Sequence, residues 1–156
     1  MKSIVIFGSR YGNTKQIAEA IADGLRAHGP VTVVPVEKAP RVFDRTTDLV
    51  VIGGPTEAHS ISEPVRAYLS GLPGSALMGI AAAAFDTRLD WPKWASGSAG
   101  SGISGRLEKL GADVVVHQAS FIVAGKDPVL KPGELDRAVA WGDTLGRALK
   151  AELAPA

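Results

Sequence analysis

The sequence predicts an open α/β fold, a five-stranded parallel sheet in the order 2-1-3-4-5 with helices on both faces. Three observations predict it. Apolar, β-branched runs alternate with stretches of helical period from end to end, and the economical solution to that alternation is a parallel sheet covered on both sides. The strand candidates are continuous apolar runs rather than alternating ones, as strands buried on both faces are. The second of them contains a proline, which cannot donate to a ladder and so belongs at a sheet margin, where this strand order places it.

The elements follow in turn. Ile4-Val5-Ile6-Phe7, closed by Gly8-Ser9, is the first strand. Ile17, Ile21 and Leu25 then recur every four residues, Asn13 is placed to cap with Gln16 three residues on, and Gly29 closes the run, so a helix is expected over about 14–28. Val31 to Val36 with Pro35 gives strand two, and Leu49 to Ile52, closed by Gly53-Gly54-Pro55, gives strand three. Val65, Tyr68, Leu69 and Leu72 mark a helix opened by Ser62 and Pro64. Ile80 to Phe85 is strand four, and a long loop is expected from Asp86 to about Ser101. Ile103, Leu107 and Leu110 define a helix stopped at Gly111. Val114 to Val116 and Phe121 to Val123 supply the last strand region, and Leu135, Ala138, Leu145 and Leu149 the closing helix, with Trp141 in its apolar stripe.

Composition narrows the function. A chain of 156 residues with 46% hydrophobic and 21% charged side chains fits one globular domain over 1–156. Seventeen basic residues against sixteen acidic ones leave a net charge of +1, too little to hold a polyphosphate backbone, so no nucleic-acid partner is expected. Cysteine is absent, which removes disulfides, thiolate metal sites and thiol nucleophiles, and His28 and His117 show no ligand spacing. The N-terminal apolar run is shorter than a signal core, and the longest uncharged stretch, Ala76 to Phe85, falls short of the roughly 20 residues of a membrane span. A cytoplasmic protein without a membrane span is expected.

In a sheet of this order a ligand sits beyond the carboxyl ends of strands one and three, where the winding reverses. The segments leaving the sheet there are Ser9 to Thr14, Pro55 to Ser62, and Asp86 to Ser98. The first joins a buried strand to a helix and supplies two small hydroxyls, a phenol, an asparagine and a glycine. Unpaired N–H groups at a helix start favour an anion, and a phosphate ester suits this donor set; the same residues also suit a plain turn and cap. A nucleoside-triphosphate loop fails on spacing, since three residues separate Gly8 from Gly12 and Asn13-Thr14-Lys15 follows. Gly100-x-Gly102-x-x-Gly105 follows a loop rather than a strand, so helix start or close packing is its expected role.

Ser9-Arg10-Tyr11-Gly12-Asn13-Thr14 resembles the phosphate fingerprint of flavodoxins and related short-chain flavodoxin-like FMN proteins, Thr/Ser-x-Thr-Gly-x-Thr. Gly53-Gly54-Pro55-Thr56 is similar to the start of that family's second flavin loop, and Ala84-Phe85-Asp86-Thr87-Arg88 to its third. The resemblance covers essentially the whole chain and implies a flavodoxin-like three-layer sandwich. It also implies that Ser9, Tyr11, Gly12, Asn13 and Thr14, with the backbone of Arg10, hold the FMN phosphate, and that the ring lies between Pro55, Thr56, Glu57, Ala58 and His59 on one side and Phe85, Asp86, Thr87 and Arg88 on the other. Tyr11 stands where the family has threonine, and the second loop lacks the usual stacking aromatic, which leaves either His59, Trp91 or Trp94 for that place or a more exposed ring. Trp91 and Trp94 occupy a loop that cannot bury them, which suits contact with a ligand or partner.

The function so implied is an FMN-binding electron carrier that meets a protein redox partner, with no catalytic residue of its own and no metal. Two alternatives are an FMN-dependent NAD(P)H:quinone oxidoreductase, which needs an open face over the flavin, and a flavin-free binding or scaffold protein of the same fold. The net charge of +1 departs from the acidic habit of small carrier flavodoxins.

Overall fold

A computed structural model describes residues 1–153. The chain runs β1 (Ser3–Phe7), α1 (Asn13–Arg26), β2 (Val31–Pro35), β3 (Leu49–Glu57), β4 (Ser60–Ile61), α2 (Glu63–Ser70), β5 (Ala81–Leu89), α3 (Lys93–Ser96), α4 (Ala99–Lys109), β6 (Asp113–Val114), β7 (Ala119–Ala124), β8 (Val129–Leu130) and α5 (Glu134–Leu153). The sheet order is β2-β1-β3-β5-β7-β8, parallel through β7 and antiparallel at β8, with β4 paired to β3 and β6 to β5. The five parallel strands thus take the expected 2-1-3-4-5 order. Pro35 closes β2 at the margin, opposite Phe7 of β1.

Strand alternation sends neighbouring residues to opposite faces and so builds two cores. Val5, Phe7, Val51, Ala83 and Phe85 pack against Ile17, Ile21 and Leu25 of α1 and Leu145 of α5. Ile6, Val50, Ile52, Ala82 and Ala84 pack against Val65 and Leu69 of α2 and Ile103 and Leu107 of α4. Phe85, Phe121 and Trp141 meet edge to face, with ring centroids 6.2–6.4 Å apart, which places Trp141 against the core as its stripe predicts. Leu135, read as part of that stripe, is instead exposed.

Three further departures concern the carboxyl pole of the sheet. β5 continues through Leu89, so Asp86, Thr87 and Arg88 are strand and not loop, and the helix expected near Ser101 opens at Ala99. The second loop is a hairpin, β3 turning back as β4 with Thr56 opposite Ile61 and Glu57 opposite Ser60. The last strand is broken: Val114 pairs with Ala82 and Ala119 with Phe85, five steps against three, so two extra residues bulge between β6 and β7. Among the described residues, no helix is long and apolar enough to cross a membrane.

Candidate functional site

The first loop leaves β1 between β2 and β3, with the Gly8 N–H donating to the Gly53 carbonyl at 3.0 Å. It then turns on Gly12, whose φ of 87° is left-handed and whose missing Cβ would meet nothing within 4 Å. The Gly12 N–H donates to Ser9 Oγ at 3.1 Å, and α1 begins at Asn13 with no side-chain cap. The first N–H groups of a helix have no partner within it, and here they stand at the positive end of a four-turn dipole.

Asn13, expected to cap, does not. It is the first helical residue, and its Nδ2 donates to the Pro128 carbonyl at 2.8 Å, tying the turn between β7 and β8 to the first loop. Thr14 is buried, and its hydroxyl shares a 2.8 Å hydrogen bond with that of Thr87 on β5. That pair keeps one O–H to offer, since two hydroxyls use only one of their two protons on each other. Tyr11 is 63% exposed and lies under the Arg10 guanidinium, 5.2 Å from its ring centroid. Arg10 Nη1 also stands 4.0 Å from Glu57 Oε1, an exposed pair joining the first loop to the second.

The second loop turns at Ala58 and His59, with φ of 47° and 66°. Two left-handed residues in succession match the turn that suits the twist of a two-residue hairpin, normally built from Asn-Gly. His59 forms a bridge to Gly97, and a Cβ on Gly97 would lie 2.3 Å from the His59 carbonyl oxygen, so only glycine admits the approach.

Phe85 and Asp86 lie within the fold and off the cleft wall. Asp86 is wholly buried, and its Oδ2 accepts from the Ser98 hydroxyl (2.7 Å), the Gly100 N–H (2.9 Å) and the Thr56 hydroxyl (3.3 Å). Thr56 Oγ1 in turn accepts from the Ala99 N–H at 2.9 Å. The glycines at 100 and 102 accordingly serve helix start and packing: a Cβ at 100 would stand 3.3 Å from Asp86 Oδ2, and one at 102 would stand 3.0 Å from Ile61.

Of the predicted residues, Arg10, Tyr11, Asn13, Thr14, Pro55, Thr56, Glu57, Thr87 and Arg88 come together around one cleft of about 180 Å³. Its remaining walls, Leu89, Val123 and Pro128, are not among the site residues the sequence points to. Val123 and Pro128 arrive there through the β7–β8 hairpin, and Pro128 within Asp127-Pro128 was the available turn signal. A second cavity of about 170 Å³ adjoins it across Thr56 and Leu89, and there Ala58, His59 and Trp91 face Ala95 and Ser96. Ser9 lines a groove on the outer side, with Pro55 and Glu57. Trp94 is 88% exposed and lines none of these.

Two guanidiniums and one carboxylate set the charge of the main cleft. Arg88 is held there because Nη1 donates to the carbonyls of Trp91 (2.8 Å) and Leu89 (3.3 Å), while its buried Nε has no partner. Asp90 pairs with Lys131 and anchors the same segment to the residue after β8; the hydrogen bond and charge of Lys131 hold the Asp90 carboxyl below its usual range. Among the described residues, no group of three His, Asp or Glu side chains is placed to hold a metal.

The flavodoxin domain family matches the chain over residues 4–90. No curated protein sequence matches it. Among solved structures, a flavodoxin from the domain Archaea is 21% identical with a TM-score of 0.76, the match covering 96% of this chain and 99% of that one. Flavodoxin 1 from Bacillus cereus is 20% identical with a TM-score of 0.77, covering 99% of this chain and 100% of that one. Rubredoxin oxygen:oxidoreductase from Desulfovibrio gigas is 18% identical with a TM-score of 0.78, covering 99% of this chain but 37% of that protein.

Proposed function

This chain belongs to the flavodoxin family, and on that premise we propose that it binds FMN at the carboxyl pole of its sheet and works as a single-domain, cytoplasmic electron carrier between protein redox partners. The observation that carries the reading is the uncapped start of α1, opened by a left-handed Gly12 onto the cleft between the first loop and the ends of β3 and β5. The donor set fits a phosphate ester: free N–H groups of the first turn, the Ser9 hydroxyl, and the proton left over in the Thr14–Thr87 pair.

FMN, when bound, supplies one- and two-electron transfer, and the protein supplies binding, orientation and electrostatics. Ser9 to Thr14 hold the phosphate, with Tyr11 and Arg10 at the outer edge. Pro55, Thr56, Glu57 and the Ala58–His59 turn flank the ring on one side, and Thr87 and Arg88 on the other. Phe85 and Asp86 act from within, supporting that wall. Trp91 borders the adjoining cavity with His59 and has the reach of a stacking side chain; exposed Trp94 belongs to the contact with a partner. Arg10 and Arg88 on the cleft wall would favour a negatively charged ligand there, and Glu57 would oppose it.

Titration of the flavin-free protein with FMN, followed by absorption and by quenching of tryptophan emission, tests the reading. FMN is expected to bind at least about tenfold more tightly than riboflavin, the phosphate adding charge-assisted hydrogen bonds. Equal affinity for the two ligands removes the phosphate site. Rapid multiple-turnover reduction of a quinone by NADH or NADPH replaces the carrier with the oxidoreductase.

A further inference from the structure

Asp86 and Thr87 are neighbours in β5 whose side chains leave opposite faces of the sheet. Thr87 ties β5 to the start of α1 through Thr14. Asp86 ties it, on the other face, to the start of α4 and to the end of β3, because one carboxylate oxygen receives Ser98, Gly100 and Thr56 together. Beyond Thr56 the chain enters the turn at Ala58 and His59. Non-glycine residues hold such left-handed conformations only where their surroundings enforce them. Two constraints enforce this one: the short ladder of β3 with β4, and the bridge from His59 to Gly97. Gly97 stands at the head of the segment through Gly100 that Asp86 anchors.

We propose that Asp86 is a positioning residue for the cleft: alongside the Ala99 N–H that Thr56 itself accepts, it fastens Thr56 to the first turn of α4 and so fixes the left-handed Ala58–His59 turn, and with it the backbone groups that this turn presents to the cofactor ring. The proposal rests on the FMN reading above. Asp86 itself lies off the cleft wall and acts through Thr56, which lines both cavities. Its second oxygen, Oδ1, is buried without a hydrogen-bond partner, and so is the hydroxyl of Ser120, its register neighbour on β7. An amide at this position keeps the side chain's volume and one oxygen for the three donors, so Asp86→Asn is the conservative replacement.

Three variants test the assignment, Asp86→Ala, Thr56→Val and Asp86→Asn, with two readouts. The first is amide hydrogen exchange of the flavin-free protein. Asp86→Ala and Thr56→Val are expected to speed exchange at residues 58–61 and 97–100 by about tenfold or more and to leave the first turn of α1 unchanged, while Asp86→Asn stays near the parent. The second is the midpoint potential and visible circular dichroism of the FMN complex, both expected to shift in Asp86→Ala and Thr56→Val and to stay near the parent in Asp86→Asn. Should Asp86→Ala fail to fold, Ser98→Ala stands in for it, since it removes one donor from the carboxylate and leaves the Thr56 bond to the Ala99 N–H in place. Parent-like exchange at 58–61 in Thr56→Val overturns the clamp. Faster exchange with unaltered potential and dichroism overturns its role toward the cofactor. If the parent takes up no FMN, the reading of the preceding subsection falls and the cofactor clause with it, whereas the exchange data still decide whether Asp86 holds the turn.

Discussion

Helices α1 and α4 begin at the same pole of one sheet, on opposite faces, and they begin differently. At α1 no side chain caps the first turn, and a left-handed glycine opens it onto the cleft. At α4 the Ala99 N–H is taken by Thr56 and the Gly100 N–H by Asp86, both reaching in from strands. The dipole is the same in kind at both ends, so an open helix start is a matter of what the neighbouring strands send toward it. Thr87 shows the choice directly, since it spends itself on the Thr14 side chain and leaves the N–H groups of the first turn alone.

The two ends are therefore expected to respond differently to substitution. The largest effect is expected at the closed end: Asp86→Ala strands the Ser98 hydroxyl and the Gly100 N–H in a buried place, a loss on the order of 2–5 kcal/mol in chemical denaturation. Thr14→Ala at the open end removes one neutral hydroxyl bond and is expected to cost about 1 kcal/mol. Equal losses at the two ends break the comparison.

A stability reference independent of both ends comes from Tyr68, whose hydroxyl donates to the Pro40 carbonyl at 2.5 Å. Burial pushes its pKa up to about 12 from an ordinary 10, with Arg41 pulling weakly the other way. The neutral phenol is the form the fold stabilises, so its contribution is whole below pH 10 and is lost as pH rises toward 12. Urea midpoints across that window are expected to reveal about 2–3 kcal/mol in the parent that Tyr68→Phe does not lose.

Gly12→Ala addresses the open end more narrowly. Nothing crowds the added methyl group, so its cost is the left-handed backbone alone, about 1–2 kcal/mol in thermal unfolding of the flavin-free protein. If Gly12 behaves as a neutral site, the loop is not held in the conformation that exposes the first turn of α1. A comparably small effect is expected from inorganic phosphate, which should raise the unfolding temperature beyond chloride of equal ionic strength, by about 1.4 kcal/mol of stability at ten times its dissociation constant. Loss of that increment in Gly12→Ala, with its retention in Asp86→Asn, sharpens the contrast to a single helix start.

Strand order, the two helical faces and the first loop were legible in the sequence because each rests on local patterning: an apolar run, a four-residue period, a proline where no donor is needed. The polar end of β5 was not legible. Asp86-Thr87-Arg88 is read as loop because strands seldom carry such residues, and here their polar groups are used across the fold, on α4, on α1 and on the backbone of the segment after β5. The hairpin at Ala58–His59 escaped for a related reason, lacking the Asn-Gly that announces a left-handed turn. Asn13 was read as a cap from its residue type, whereas Gly12 takes the position before the helix and leaves Asn13 free to bind Pro128, a contact 115 residues away in sequence.

The margins of the sheet bear on how this molecule meets others. One margin is β2, five residues long and finished by Pro35, and the other is β8, two residues folded back on its neighbour. Short, proline-ended or antiparallel borders give an approaching backbone little to pair with, so growth of the sheet by addition of a foreign strand, or of a second copy, is disfavoured. Contact at these margins therefore runs over side chains rather than a ladder.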